Sequence, residues 1–385
     1  MDYFLSDEQK MIVDLARKIT QEQIVPNRAK LDEEEAFPTE ILKKIAEADL
    51  FGLYIPEEYG GFGGGVMDFC LAVEEFSKGC IGVSVSFAAN ALGSYPILGF
   101  GTDEQKKKYM PDIASGKKLA AFGLTEANAG SDAAGVQTTA VLKGDHYILN
   151  GTKQWITNAG EADTYTVIAI TDKSKGARGA SAFILEKGME GFTFGKKEKK
   201  LGIRASATRE LIFQDVKVPK ENLLGREGMG FIVAMKNLDH SRPGIAAQGV
   251  GLAQGALDEA VKYARERVQF GKPISALAVI QHMLADMGTK TEAARALLYA
   301  TARFIDSKPK DISKMSAMSK LFATDTAMEV ANDALQVFAG YGYMREYPME
   351  KYFRDAKILQ IYEGTNQIQR NVIGAQLIKE SAAKK

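Results

Sequence analysis

A change of hydrophobic period, made twice, constrains this 385-residue chain more than any other feature. Up to about residue 118 apolar residues recur at the three-to-four spacing of one helix face. From about 119 to 222 they fall into short alternating or β-branched runs, and from 223 onward the helical spacing returns. Strand side chains alternate between two faces while helical ones return to a single face, so one segment cannot serve both patterns. The order predicts an α+β protein: a helical domain over 1–118, an antiparallel β domain, barrel or sandwich, over 119–222, and a second helical domain over 223–385.

Local signals refine this frame. Ser6 and Gln9 form a capping box ahead of Ile12, Leu15, Ala16 and Ile19, and Pro26 is expected to limit that helix. A second helix after Pro38 carries Ile41, Leu42, Ile45 and Ala46, and Thr102 with Gln105 caps a third that reaches about residue 117. In the middle third "TTAVLK", "YTVIAIT", "SAFILEK" and "RELIFQDVKV" read as strands, with Asn150-Gly151 as a hairpin turn. Later, Leu257, Ala260, Val261, Ala264 and Val268 form one stripe, and a long helix spans about 276–305.

Charge and ligand-forming residues narrow the function. Lys plus Arg (49) equals Asp plus Glu (49), so no global field favours nucleic acid or an anionic membrane, and neither is expected as a partner. Cys70 and Cys80 lack a CxxC spacing and His146, His240 and His282 are scattered, which predicts no disulfide framework and no metal site. With reduced thiols, an acidic start unlike a targeting peptide and no run of 18 apolar residues, the expected location is cytoplasmic.

Several short stretches stand out. "GVGLAQG" (249–255) has the glycines of a phosphate loop but no preceding strand, so Gly249, Gly251 and Gly255 are read as sites of close helix packing. "AFGLTEANAGSD" (121–132) gathers Thr125, Asn128, Ser131 and Asp132 at a domain boundary, where ligand clefts form, although turn chemistry alone would also use them. The single tryptophan, Trp155, has Thr157 and Asn158 beside it and could wall a flat ring or fill a core. Arg267 could hold a phosphate or pair with Glu266 on the surface. "GKKEKKLG" (195–202) reads as a solvated basic turn. Glu363 stands alone in a Tyr-Glu-Gly-Thr turn, whose ordinary meaning is a helix end.

Taken together, "FGLTEANAGSD", "WITNAG", "RVQFGKP", "QVFAGYGY" and "IYEGTNQIQR", in this order across the whole chain, resemble the acyl-CoA dehydrogenase family. The resemblance implies a helical domain, a β barrel and a C-terminal four-helix bundle. It also implies FAD as cofactor, a homotetramer, and oxidation of an acyl-CoA to the 2,3-enoyl-CoA with electrons passed to electron-transfer flavoprotein. Phe122, Leu124, Thr125 and Ser131 match flavin contacts of that family, Ser131 also lying near the pantetheine, and Trp155 with Thr157 matches the flavin wall. Arg267, Gln269, Phe270, Gln336 and Gly340 match the segments that reach a neighbouring subunit's FAD. Asp239 and Arg242 match CoA contacts, joined at the substrate by Tyr362 and Gly364. Glu363 matches the catalytic base, and Gly364, Thr365 and Gln367 match further flavin contacts.

A proton α to a thioester is weakly acidic, so its base must be desolvated and in reach of that carbon, and donors must meet the developing enolate. Some relatives take the base from the position where this chain has Ser241, which leaves Glu363 as the sole base. Glutaryl-CoA members carry an Arg near the position of Val85, and the usual polar pair after "FGKP" is replaced by Leu277 and Ala278. Phe87, Ala89, Leu92, Tyr95 and Tyr341 are expected to line an acyl pocket for a short or medium straight chain, or for an alicyclic or aromatic group. An acyl-CoA oxidase, a DNA-associated branch and a non-catalytic flavoprotein remain as other uses of the same scaffold.

Overall fold

Helix α1 (Asp7–Ile19) begins at the reciprocal Ser6–Gln9 cap and buries Ile12, Ala16 and Ile19. Leu15 points outward, so the apolar stripe is narrower than its spacing implies. The structure, a computed structural model, describes residues 3–382. Pro26 does not end the first helical run. The chain widens into a π turn at Thr20–Ile24 and restarts as α2 (Val25–Glu33), with Pro26 in the first turn, where its missing N–H costs nothing. Helix α3 (Thr39–Glu47) and the doubly capped α6 (Asp103–Ala114) flank α4 (Val66–Gly79) and α5 (Ile81–Phe100).

By length and composition α5 is apolar enough to cross a membrane, yet 78% of its most hydrophobic window is buried inside the fold. It packs against α4, the middle domain and the long helix α7 (Gly230–Glu266), and is a core helix.

The middle domain contains β1 (Ala120–Gly123), β2 (Thr139–Lys143), β3 (His146–Thr157), β4 (Thr164–Ile170), β5 (Ala180–Glu186), β6 (Phe192–Phe194), β7 (Thr208–Pro219) and β8 (Leu223–Leu224). Its hydrogen-bonded order is β6-β7-β3-β2-β4-β5-β8, with β1 joined to β4. The ladders are antiparallel except that β1 runs parallel to β4 and β2 meets β4 in parallel at one pair. The expected hairpin at Asn150-Gly151 is absent. The turn is Gly144-Asp145, since Lys143 pairs with His146, and Asn150-Gly151 lies inside β3 where its register against β7 slips. There Asn150 and Asp215 exchange two 2.9 Å hydrogen bonds, and a Cβ on Gly151 would sit 2.6 Å from Thr138 Oγ1. The Asn-Gly pair thus serves a bulge instead of a turn.

The last third consists of α7 (Gly230–Glu266), α8 (Ala278–Asp306), α9 (Ser313–Phe338), α10 (Met349–Leu359) and α11 (Asn366–Ala382), with a two-strand ribbon, β9 (Val268–Gln269) and β10 (Lys272–Pro273), after α7. Helix α9 packs against α7, α8, α10 and α11, while the other side of α7 meets α4. The α7 glycines allow these approaches. A Cβ on Gly249 would lie 2.7 Å from Ala323 O, on Gly251 2.2 Å from Glu74 O, and on Gly255 2.4 Å from Lys78 O. Ala260 and Ala264 are buried, but Val261 and Val268 are exposed, because the helix ends at Glu266 and Val268 belongs to the ribbon.

The segment 195–202 is only partly a solvated turn. Lys196 and Lys199 are exposed, whereas Lys200 is half-buried and donates to Ser206 O at 2.9 Å.

Candidate active site

The turn between α10 and α11 carries Tyr362, Glu363, Gly364 and Thr365. Two consecutive residues are left-handed, Glu363 at φ 51 and Gly364 at φ 91. Gly364 suits this geometry, since a Cβ would lie 2.7 Å from Gln369 Nε2. Glu363 has no such freedom, and side-chain donors brace its conformation. Gln369 Nε2 donates to Glu363 O (3.3 Å) and Gly364 O (2.9 Å), Arg242 Nε to Glu363 O (3.4 Å), and Lys320 Nζ to Gly364 O (2.9 Å).

The carboxylate itself accepts from Ser241 Oγ at 2.5 Å. Burial pushes the Glu363 carboxyl up to about 6, while the Ser241 hydroxyl and the charges of Arg242 and Lys320 oppose the rise. A base so tuned is mostly ionised at neutral pH yet more basic than a solvated carboxylate, which suits it to proton abstraction from carbon.

Ser241 and Arg242 come from α7. Arg242, 4% exposed, donates to Asp239 Oδ1 at 2.8 Å, and Asp239 also accepts from Ser313 (2.5 Å) and, at its backbone oxygen, from Ser316 (2.6 Å). Both residues expected at the CoA portion are therefore hydrogen-bonded into the fold beside the Glu363 turn. Tyr362 donates its hydroxyl to Gln248 of α7.

A second cluster forms on β1 and β3. Gln154 N donates to Thr125 O at 2.8 Å, bringing the segment 122–125 beside Trp155 and Thr157. Beneath them Lys153, fully buried, donates to Leu124 O (3.1 Å) and Glu126 Oε1 (2.6 Å), and the Glu126 carboxylate also accepts from Gln137 N and Thr138 N. Trp155 is 56% exposed with φ 57, an uncommon backbone for an aromatic residue. Phe122 and Leu124 are buried, and Ser131 is exposed on the following loop. Among the described residues the side chains of Thr125, Ser131 and Thr157 have no intrachain hydrogen bond. An exposed indole with unpaired hydroxyls beside it fits a planar heteroaromatic group such as a flavin.

The third cluster lies at the far end of α7 and α9. Arg267 stacks over Tyr341 with its guanidinium carbon 5.0 Å from the ring centroid, and no pair with Glu266 occurs among the described residues. Gln269, Phe270, Gln336 and Gly340 are exposed, and Phe270 and Ala339 have φ 53 and 52. Along α7 the rise from Arg242 to Arg267 is about 38 Å, so these residues cannot act on a group centred at Glu363 in their own chain.

The acyl-pocket expectation is corrected in two places. Phe87 is enclosed by Phe51, Phe69 and Phe76, and Tyr341 belongs to the third cluster. Tyr95 stays a candidate: its buried hydroxyl has no partner among the described residues, and its ring lies 6.2 Å from that of His240, next to Ser241. Four residues at the site were not singled out from the sequence, although Glu126 and Gln369 lie inside the quoted motifs. Lys320 and Gln369 read as surface positions of helices, and Lys153 and Glu126 as residues of a strand and a loop.

The α–β–α frame, a braced and buried carboxylate and an exposed aromatic with unpaired hydroxyls beside it fit a flavin-dependent dehydrogenase. The chain matches three family models: Acyl-CoA dehydrogenase, N-terminal domain, over residues 6–117; middle domain, over 121–216; and C-terminal domain, over 228–378. It belongs to the acyl-CoA dehydrogenase family, is an acyl-CoA dehydrogenase and uses FAD. It is 48% identical over 381 residues to acryloyl-CoA reductase (NADH) of Anaerotignum propionicum, covering 98% of this chain and 96% of the relative. Butyryl-CoA dehydrogenase from Megasphaera elsdenii superposes with a TM-score of 0.96 at 47% identity, covering 98% of this chain and all of that one. A chain in the structure of the electron transferring flavoprotein of Acidaminococcus fermentans, a study of flavin-based electron bifurcation, matches with a TM-score of 0.96 at 53% identity, covering 98% and 99%.

Proposed function

We propose that this enzyme oxidises a short, straight-chain monocarboxylic acyl-CoA between Cα and Cβ, with Glu363 as the base, and passes the electrons to electron-transfer flavoprotein. The observation that carries the assignment of the base is its carboxylate, held at 2.5 Å by Ser241 and raised to about 6 by burial within a braced left-handed turn. The similarity to butyryl-CoA dehydrogenase supports the short acyl chain, and the Acidaminococcus structure supports the electron partner. A cytoplasmic homotetramer completes the reading.

Bound FAD supplies the hydride acceptor. Phe122, Leu124, Thr125, Trp155 and Thr157 would hold its ring system, with Ser131, Thr365 and Gln367 at its polar edges. Glu363 takes the Cα proton once its carboxylate turns from Ser241, and Arg242 and Lys320 stabilise the ionised base beforehand through their charge. The same residues serve the reverse reaction, proton delivery to an enoyl-CoA, and the likeness to acryloyl-CoA reductase makes direction a second reading.

Anaerobic mixing with butyryl, octanoyl, isovaleryl, cyclohexanecarboxyl and glutaryl thioesters tests the substrate through loss of flavin absorbance. Butyryl-CoA should bleach fastest. Val85, at the position where glutaryl-CoA members carry an Arg, is only 4% exposed in the core beside Ile81, so its lack of charge says little about a distal carboxylate. Glutaryl-CoA outpacing every monocarboxylic thioester would overturn the proposed substrate class.

A further inference from the structure

Three lysines are almost wholly buried in this fold, and two of them have carboxylate partners. Lys153 meets Glu126 at 2.6 Å and Lys351 meets Asp355 at 2.5 Å. Lys320, fully buried on α9, has no ion-pair partner among the described residues. Its ammonium donates to two neutral oxygens, Gly364 O at 2.9 Å and Asn366 Oδ1 at 2.8 Å. Burying a charge without a counter-charge is unfavourable, and an apolar side chain of similar length would avoid that cost. Both acceptors belong to the segment that carries Glu363.

We propose that Lys320 is a positioning residue for the catalytic base, fixing the peptide that follows Gly364 and through it the direction in which Glu363 presents its carboxylate. The trans peptide is planar, so holding Gly364 O on the α9 side turns the Thr365 N–H to the opposite side. Gln369 grips the carbonyls of Glu363 and Gly364 from α11, and Asn366 is tied to Thr324 (2.9 Å) and Asp325 (2.7 Å) of α9. Lys320 joins these two anchors and is the only donor from α9 to the turn's backbone among the described residues. It makes no hydrogen bond to the Glu363 carboxylate, so beyond the pull of its charge it acts through the turn. Burial also draws its ammonium down to about 7, against the opposing pull of the nearby Glu363 charge.

The inference rests on Glu363 as the base, and the Lys320→Met variant tests it. This variant should fold with a Tm no lower than wild type, keep its FAD, and bind the best acyl-CoA with an unchanged perturbation of the flavin band. Its kcat should fall about 10²-fold, as for a misplaced reacting group, and the isotope effect with α-deuterated substrate should grow because proton removal has become slower. Wild-type kcat would overturn the proposal. So would a loss of kcat that merely parallels loss of FAD and of Tm, which is the signature of a structural lysine. If Lys320→Met does not fold, the shorter, neutral Lys320→Gln decides by the same split between kcat and binding. Glu363→Gln separates the two ideas: wild-type bleaching by that variant removes the base assignment, whereas an inactive Glu363→Gln beside a fully active Lys320→Met removes only the role of Lys320.

Discussion

Glu363 is the proposed base, and a single substitution there tests the proposal. Replacing it with Gln keeps the shape of the side chain but removes a base that can accept a proton at neutral pH. FAD content and acyl-CoA binding should persist while flavin bleaching slows by about 10² to 10⁴, measured by rapid mixing. Because its folded pKa is raised from 4.5 to about 6, the ionised carboxylate opposes folding above that range. The cost is absent below about pH 4.5 and reaches about 2 kcal/mol above pH 6, so Glu363→Gln should gain stability relative to wild type at pH 7 but not at pH 4. In the wild-type enzyme, kcat/KM should rise with pH through an inflection near 6. Ser241→Ala removes a hydrogen bond to the ionised form and should move that inflection upward; an unchanged profile would show that the Ser241 contact does not tune the base.

At the scale of elements, α7 is the spine, and its glycines meet neighbouring backbone closely. Gly251→Ala would place a methyl 2.2 Å from Glu74 O, against backbone that cannot rotate away. Thermal unfolding should show a loss of about 1–3 kcal/mol or more. Val261→Ala, on the exposed face of the same helix, should stay within about 0.5 kcal/mol. Equal effects at both sites would contradict the packing role. The helix termini were legible in "SDEQ" and "TDEQ", because a capping box is a short-range device. Pro26 and Asn150-Gly151 misled for the same kind of reason: each has two structural uses, and for Asn150-Gly151 the choice was made by pairing with β7.

For the whole molecule, the separation of about 38 Å along α7 between the Glu363 site and Arg267 favours an assembly in which one chain completes another's cofactor site. Arg267→Ala should weaken FAD retention although it lies about 38 Å along α7 from Arg242, read as the flavin-to-protein absorbance ratio after gel filtration. Mixed oligomers of Arg267→Ala and Glu363→Gln should regain flavin in the subunits whose neighbours supply Arg267. A monomer that holds a full complement of FAD would remove the intersubunit role.

The α–β–α order, the motifs at 122–132, 155–160 and 361–370, and Glu363 as the base candidate were all readable from the chain. Periodicity and turn chemistry are local, and a lone carboxylate in a Gly turn is conspicuous. What the tertiary structure decided was which ordinary residues surround that carboxylate. Ser241, Arg242, Lys320 and Gln369 come from α7, α9 and α11, up to 128 positions apart by number (369 − 241), and helical spacing alone places Lys320 and Gln369 on unremarkable faces. The positive φ of Trp155, Phe270 and Glu363 was equally hidden, because none of these side chains favours it. Such a conformation is imposed by neighbours that meet only when the helices and the sheet have packed.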